Sequence, residues 1–335
     1  MDEDVRVRWP RTVDPYVAAM LATVGLASVL PARGIVATIA GWATTAAIAL
    51  LFFLYGARIS PREAWAGAAH WRLHLVVLVA TFALFPAYGL LLGLLSPALL
   101  DPPLYQGVLF LCAVPSTVQS AIALASIAGG NVPAAIFSAS FSSIIGIVLT
   151  PLLVAWTMSG VGDVELSADA FGDIVVRLLL PFVAGQLVRP WIGAWMKRRK
   201  TLLTLVDRGS ILLVVYTAFS AGVVGGTWRR VVPADLLVLV VVEAALLAAV
   251  LLTLASLRFG KADKVAIVFC GSTKSAAVGL PMASVLFPGP AAGLLVLPLI
   301  IFHQLQLITG VVLARRWAAT PESGPEPSAA PQPTA

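Results

Sequence analysis

Residues Phe269–Met282 read F-C-G-S-T-K-S-A-A-V-G-L-P-M and lie between two long apolar runs. About 20 apolar residues span a bilayer as a helix. A lysine inside such a span marks a functional position, unless its flexible stem carries the charge to an interface. Around Lys274 stand residues that interrupt helices: Gly271, Ser272 and Thr273 before it, Gly279 and Pro281 after it. Irregular backbone at membrane depth persists only where protein or a wet cavity satisfies its polar groups. Segment 270–275 is therefore predicted to break a spanning helix near the membrane midplane.

The rest of the chain supports a membrane setting. It is 59% hydrophobic and 11% charged, against about 25% charged in soluble domains. This is the composition of a polytopic membrane protein with no room for a sizeable soluble domain. Ten apolar spans can be read, at 16–30, 35–55, 73–95, 105–128, 131–158, 171–190, 209–226, 234–257, 265–286 and 291–314. Residues 1–15 are expected to be a cytoplasmic N-terminal segment of mixed charge, and because the first apolar run, Tyr16 to Leu30, lacks a small-residue cleavage site, no cleaved signal peptide is expected. The Pro- and Ser-rich tail 318–335 is expected to be disordered. Cys112 and Cys270 both fall in apolar runs, which suits small core residues better than a disulfide.

Charge distribution sets the orientation. Of 22 basic residues, 17 fall in one set of loops, clustered at Arg6–Arg11, Arg58–Arg72, Arg189–Arg208, Arg258–Lys264 and Arg315–Arg316. Only Arg33, Arg229 and Arg230 fall on the other side, while Arg177 and Lys274 lie at membrane depth. The positive-inside rule then places both termini in the cytoplasm, in the plasma (inner) membrane. The net charge of +6 follows from that rule, and the 197–200 cluster suits anionic lipid, so a nucleic-acid partner is not required.

Ten spans divide five and five, and the halves echo one another. The fourth span holds C-A-V-P-S-T-V-Q-S-A at 112–121; the ninth holds C-G-S-T-K-S-A at 270–276. Both place a Ser-Thr pair behind a cysteine and a breaker, and both end in Ser-Ala. An odd number of spans per half makes the second half, 171–314, insert upside down relative to the first, 16–158. Interrupted helices in matching positions of inverted halves point to the binding site of a secondary transporter. Segment 113–119 is predicted to be the second break, meeting 270–275.

Several polar residues need a reason. Asn131, the chain's single asparagine, stands in A-G-G-N-V-P and either caps the next helix or serves the site. The fifth span carries Ser138, Ser140, Ser142, Ser143 and Thr150, a pattern that more often packs helices than binds ligands. Asp173 and Arg177 are spaced i, i+4 and suit an ion pair. Glu243 is near mid-span and must be paired, protonated or wet. His303 and Gln304 are about 100° apart on a helix, so at least one faces the interior. His70 and His74 are expected at the interface. Neither metal-ligand spacing within the spans nor a phosphate-binding loop occurs, so no cofactor is expected.

The runs L-C-A-V-P-S-T-V-Q-S-A-I-A-L-A-S-I-A-G-G-N-V-P at 111–133 and F-C-G-S-T-K-S-A-A-V-G-L-P-M resemble the bile acid:sodium symporter family, in its SBF-like branch. The similarity extends to D-P-Y at 14–16, W-R-L-H-L at 71–75, L-L-P-F-V-A-G-Q-L-V-R-P-W at 179–191 and F-H-Q-L-Q-L at 302–307. It implies an all-α fold of ten transmembrane helices, a core and a panel domain, and broken helices 4 and 9 crossing at the centre of the core. In sodium-coupled members the ninth-helix motif runs E-x-G-x-Q-N-S. Here Phe269 stands for the Glu, Thr273 for the Gln and Lys274 for the Asn, and the fourth-helix S-N pair is Ser120-Ala121. A hard cation wants oxygen ligands and carboxylate charge. This chain lacks the carboxylate and adds an ammonium.

The expected function is alternating-access transport of a small organic solute, probed by substrate- or ion-binding residues Pro115, Ser116, Thr117, Gln119, Ser120, Asn131, Ser272, Thr273, Lys274, Ser275, His303 and Gln304. Lys274 and the helix-end dipoles would attract an anionic solute. The coupling ion is sodium, through hydroxyls of Ser116, Thr117, Ser272 and Thr273, or a proton, through Lys274. Two other classes remain: a regulatory membrane protein without net transport, and an intramembrane hydrolase using Ser272 or Ser275 with His303. No G-x-S-x-G motif supports the latter.

Overall fold

The computed structural model describes residues 15–58, 70–95, 100–158, 168–230, 232–287 and 289–319. The tail beyond Ala319, the first fourteen residues and most of the acidic loop 159–170 lie outside that range, as does the side chain of Asp173.

Every described segment is helical and no strand occurs among the described residues. In chain order the helices are α1 (Pro15–Val29), α2 (Gly34–Arg58), α3 (Trp71–Val79), a π-helical turn (Ala80–Leu84), α4 (Phe85–Leu92), α5 (Pro102–Ala113) and α6 (Gln119–Ile127). There follow α7 (Val132–Met158), α8 (Ala168–Arg198), α9 (Lys200–Val224), α10 (Pro233–Ser256), α11 (Lys261–Ser272), α12 (Ala276–Leu286) and α13 (Ala292–Ala318). Among the described residues, seven of these runs are long and apolar enough to cross a membrane. The protein is a multi-pass integral membrane protein.

Large apolar side chains are exposed on its outside, and several polar ones are buried inside. Leu94, Val29, Ile35 and Trp42 are among the large apolar side chains exposed on the surface, whereas Lys274, Glu243 and Gln306 are buried. An apolar belt of that extent on a soluble protein would be an interaction surface; around a bundle of spanning helices it faces lipid. The run from Lys261 to Leu286 is the central element. In its most apolar window 94% of residues are buried, against 22% to 44% in the other spanning runs.

Two boundaries differ from the sequence expectation. The sixth span begins at Ala168 and continues to Arg198, beyond both ends of 171–190. The basic cluster at 197–200 is a corner between α8 and α9, with Arg199 alone outside a helix. Lysine and arginine are good helix formers, so charge ends the apolar span without ending the helix.

α2 packs along α8, and the approach is close enough that backbones touch. A Cβ added to Gly56 would lie 2.0 Å from the Phe182 carbonyl oxygen, and one added to Gly185 would lie 2.0 Å from that of Phe53. Small residues permit such contacts between membrane helices.

Candidate functional site

Both breaks exist and they touch. The fourth span loses helical structure at 114–118, within the expected 113–119. The ninth loses it only at 273–275, because Cys270, Gly271 and Ser272 stay helical at the end of α11. Val114 and Thr273 take up extended backbone, with ψ of 145° and 146°. The Ser275 N–H donates to the Pro115 carbonyl at 2.9 Å, joining one break to the other. Ser116 Oγ donates to the Cys270 carbonyl at 2.5 Å and lies 3.3 Å from Thr273 Oγ1.

The hydroxyl ladder of α7 serves the first break. Ser142 Oγ accepts the Ser116 N–H at 3.1 Å, and Thr150 Oγ1 donates to the Ala113 carbonyl at 2.9 Å. These bonds replace those that Pro115 and the extended backbone remove. Ser275 caps α12, its Oγ accepting the Val278 N–H at 3.2 Å.

Lys274 points away from solvent, with no exposed surface. Its Nζ donates to the carbonyls of Thr81 at 2.9 Å, Cys112 at 2.8 Å and Val114 at 2.8 Å, and lies 4.1 Å from the centre of the Phe85 ring. An ammonium has three donors, and all three are used. Each acceptor is free for a reason written in the chain. In the π turn the Phe85 N–H bonds Ala80, and Pro86 has no N–H to offer Thr81. The Ser116 N–H, which a continued helix would give to Cys112, goes to Ser142. Val114 begins the extended stretch. The backbone of Lys274 is held as well: its N–H donates to Gln306 Oε1 at 2.6 Å, and its carbonyl accepts from Gln306 Nε2 at 2.8 Å.

Beside the two breaks lies a cavity of about 550 Å³. Thr117 from the first break and Gln119 and Ser120 from the first turn of α6 line it, with Ser275, Ala276 and Val278 from the start of α12, and His303 of α13. Apolar wall comes from Phe52, Ile136, Phe137 and Phe182 among others, and Tyr16, Tyr55, Arg58, Asp207 and Arg208 are also in the lining. Arg58 and Asp207 form a two-pronged ion pair, and the Arg208 guanidinium sits 5.0 Å from the Tyr16 ring centre. Tyr55 reaches over to α12 and donates to the Ala277 carbonyl at 3.1 Å, the group that Pro281 leaves without a helical donor.

The sequence candidates divide accordingly. Thr117, Gln119, Ser120, Ser275 and His303 line the cavity; Pro115, Ser116, Ser272, Thr273 and Lys274 are packed behind it. Gln304 does not line the cavity. Asn131 is away from the site: its Oδ1 accepts the Ala134 N–H at 3.1 Å and its Nδ2 donates to Asp263 Oδ1 at 2.8 Å. It caps α7 and ties it to α11. Replacing Asn131 with Ala is expected to cost about 1 kcal/mol of stability, read as a small fall in melting temperature with ligand response unchanged.

Of the four hydroxyls proposed for sodium, those of Ser116 and Thr273 lie 3.3 Å apart and donate to the Cys270 and Phe269 carbonyls, while Thr117 pairs with Ser120. Two further expectations are corrected. Lys274 has no surface from which to meet a solute in the cavity. His74 is buried, not interfacial, with Nδ1 2.7 Å from Ser138 Oγ. Glu243 is fully buried, and neither carboxyl oxygen has a hydrogen-bond partner among the described residues. Sequence reasoning missed Gln306, Thr81 and Phe85 as partners of Lys274. Gln306 was within reach of it, since it lies one turn from His303 on the same face.

Two touching helix breaks in a buried polar core, beside a cavity within an apolar bundle, suit a membrane transporter. The chain belongs to the SBF-like CPA transporter family, whose model matches residues 14–319. It is 52% identical over 309 residues to the uncharacterised PA2026 of Pseudomonas aeruginosa, covering 91% of this chain and 93% of that one. It is equally close, 52% over 313 residues, to an Escherichia coli K12 protein provisionally named symporter YfeH, covering 92% and 93%. Sodium/bile acid cotransporter 7 of Mus musculus is 33% identical over 288 residues, covering 83% and 84%. These kinships mark a transporter and not an enzyme.

Proposed function

We propose that the protein is a secondary transporter of a small organic anion in which the Lys274 ammonium permanently occupies a cation position. The carrying observation is the set of three main-chain carbonyls around Lys274 Nζ, one from the π turn and two from the start of the first break. Three converging carbonyls are ligands suited to a hard cation such as sodium. Here a covalently attached charge fills them, and Phe269 stands where a carboxylate would help hold a free ion. The mouse relative's name pairs sodium with a bile acid; for this chain, transport without sodium is the expectation.

The anionic preference rests on the cavity. Arg58 and Arg208 line it, and so do the first turns of α6 and α12, the positive ends of helix dipoles. Alternating access would move a core, built on the crossed breaks, against a panel containing α2, α8 and α9. The full arrangement is ten passes in two inverted halves, with both termini in the cytoplasm and the cavity opening inward, since Arg58 and Arg208 belong to the basic side.

A thermal-shift screen tests this. Purified protein is melted with a panel of organic carboxylates and sulfonates, in sodium and in choline buffers. A bound anion should raise the melting temperature by mass action, equally in both. A shift only from neutral or cationic solutes, or one that needs sodium, contradicts the proposal.

A further inference from the structure

One side chain joins the cavity wall to the break. His303 lines the cavity, and its Nδ1 lies 2.8 Å from Gln306 Nε2. The same Gln306 amide grips both backbone groups of Lys274. That grip decides which atom is which. A backbone N–H can only donate and a carbonyl can only accept, so Oε1 must face the Lys274 N–H and Nε2 its carbonyl. The second N–H of Nε2 then points at His303 Nδ1, which must offer a lone pair. In this conformation His303 is the neutral imidazole with its proton on Nε2.

We propose that His303 is a proton-binding site in the cavity wall, and that its occupancy is passed through Gln306 to the break at Lys274. This rests on the cavity being the transport site, and it assigns the proton as the ion sensed there. A proton taken from cavity water binds the Nδ1 lone pair and gives an imidazolium. Two donors then face each other at 2.8 Å. His303 and Gln306 stand one turn apart on α13, so their backbones cannot separate, and the contact opens by swinging the amide. A simple flip does not help, because it sets Nε2 against the Lys274 N–H and Oε1 against the carbonyl. The amide therefore leaves the break, and loss of the proton restores it.

Other ionisable groups surround this latch. Lys274 stands behind Gln306, while Tyr16, Tyr55, Arg58, Asp207 and Arg208 share the cavity. Helices packed against α13 carry Tyr105 and Cys112 on α5, Asp235 and Glu243 on α10, and Lys200 and Tyr216 on α9; α6 and α12 carry none. A response that belongs to His303 must therefore vanish when His303 alone is changed.

Hydrogen–deuterium exchange of the full chain in nanodiscs reads the latch directly. Exchange over 270–278, corrected for the intrinsic pH effect, is compared at about pH 5.5 and 8, either side of the ordinary histidine value of about 6.5. The wild type should exchange at least tenfold faster at the lower pH. His303→Asn, whose Oδ1 can accept from Gln306 without titrating, should stay slow at both. Equal corrected exchange in the wild type, or a pH response surviving in His303→Asn, overturns the proposal. Should that variant not fold, imidazole ¹⁵N spectra of the wild type at pH 8 decide: Nδ1 unprotonated supports it, Nδ1 protonated overturns it. Neither measurement contains a solute, so failure of the anion screen leaves this result standing, and the reverse holds too.

Discussion

Lys274→Met should be far less stable than the wild type, and in Lys274→Ala the loss should be partly recovered by sodium. The substitution keeps an unbranched stem of similar length but removes three N–H donors. The carbonyls of Thr81, Cys112 and Val114 are then left without the bonds that Nζ makes. Each unsatisfied buried acceptor costs roughly 1–3 kcal/mol, so three of them set a loss on the order of 3–9 kcal/mol, at the low end where water enters. Pro86 and the bond from Ser116 to Ser142 prevent the backbone from reclosing ordinary helical bonds around these groups. Lys274→Ala, with a shorter side chain, leaves room for an ion. Its melting temperature should rise when choline is exchanged for sodium, while that of the wild type should not change. Wild-type stability in Lys274→Met, or sodium sensitivity of the wild type equal to that of Lys274→Ala, would show that the ammonium does not fill a cation position.

The second large effect lies in the helix pairing beside the cavity. Gly56→Ala and Gly185→Ala should each destabilise the pairing of α2 with α8 far more than an ordinary surface change. The added methyl group would meet main-chain oxygen at 2.0 Å in both cases, well inside van der Waals contact. Backbone atoms cannot rotate aside, so the helices must part along their length. Overpacking typically costs 1–3 kcal/mol, occasionally more; at roughly 3 kcal/mol or above these two sites sit at its upper end, because the obstacle is backbone. Gly25→Ala and Gly41→Ala are the controls, since a Cβ at either meets nothing within 4 Å. They should match or slightly exceed the wild type, alanine being the better helix former. Equal melting temperatures in all four variants would refute the close crossing. α2 and α9 also carry Arg58 and Asp207 in the cavity lining, so parting α2 from α8 should weaken ligand response as well.

Much of this was legible in one dimension because the bilayer leaves few solutions. Long apolar runs must be helices, and a lysine with glycine, serine and proline around it must mark a place where a helix gives way. The two breaks, the capping role open to Asn131 and the hydroxyls of α7 all follow from local chemistry that reaches only a few residues along the chain. The partners of Lys274 do not. Thr81 lies 193 residues away from it, Cys112 162 and Gln306 32, and nothing local assigns a carbonyl to a distant ammonium. The sequence shows that Pro86 can free a carbonyl; only the packing of the π turn against the ninth-span break determines which side chain receives it. The same holds for Lys274 itself. Its presence in the span is plain from the sequence, which leaves open whether its stem runs to an interface or its charge stays at the breaks, because the direction of a side chain at a broken turn is set by the helices around it. Three carbonyls pull the ammonium into the core, and the cavity is left to His303, Arg58 and Arg208.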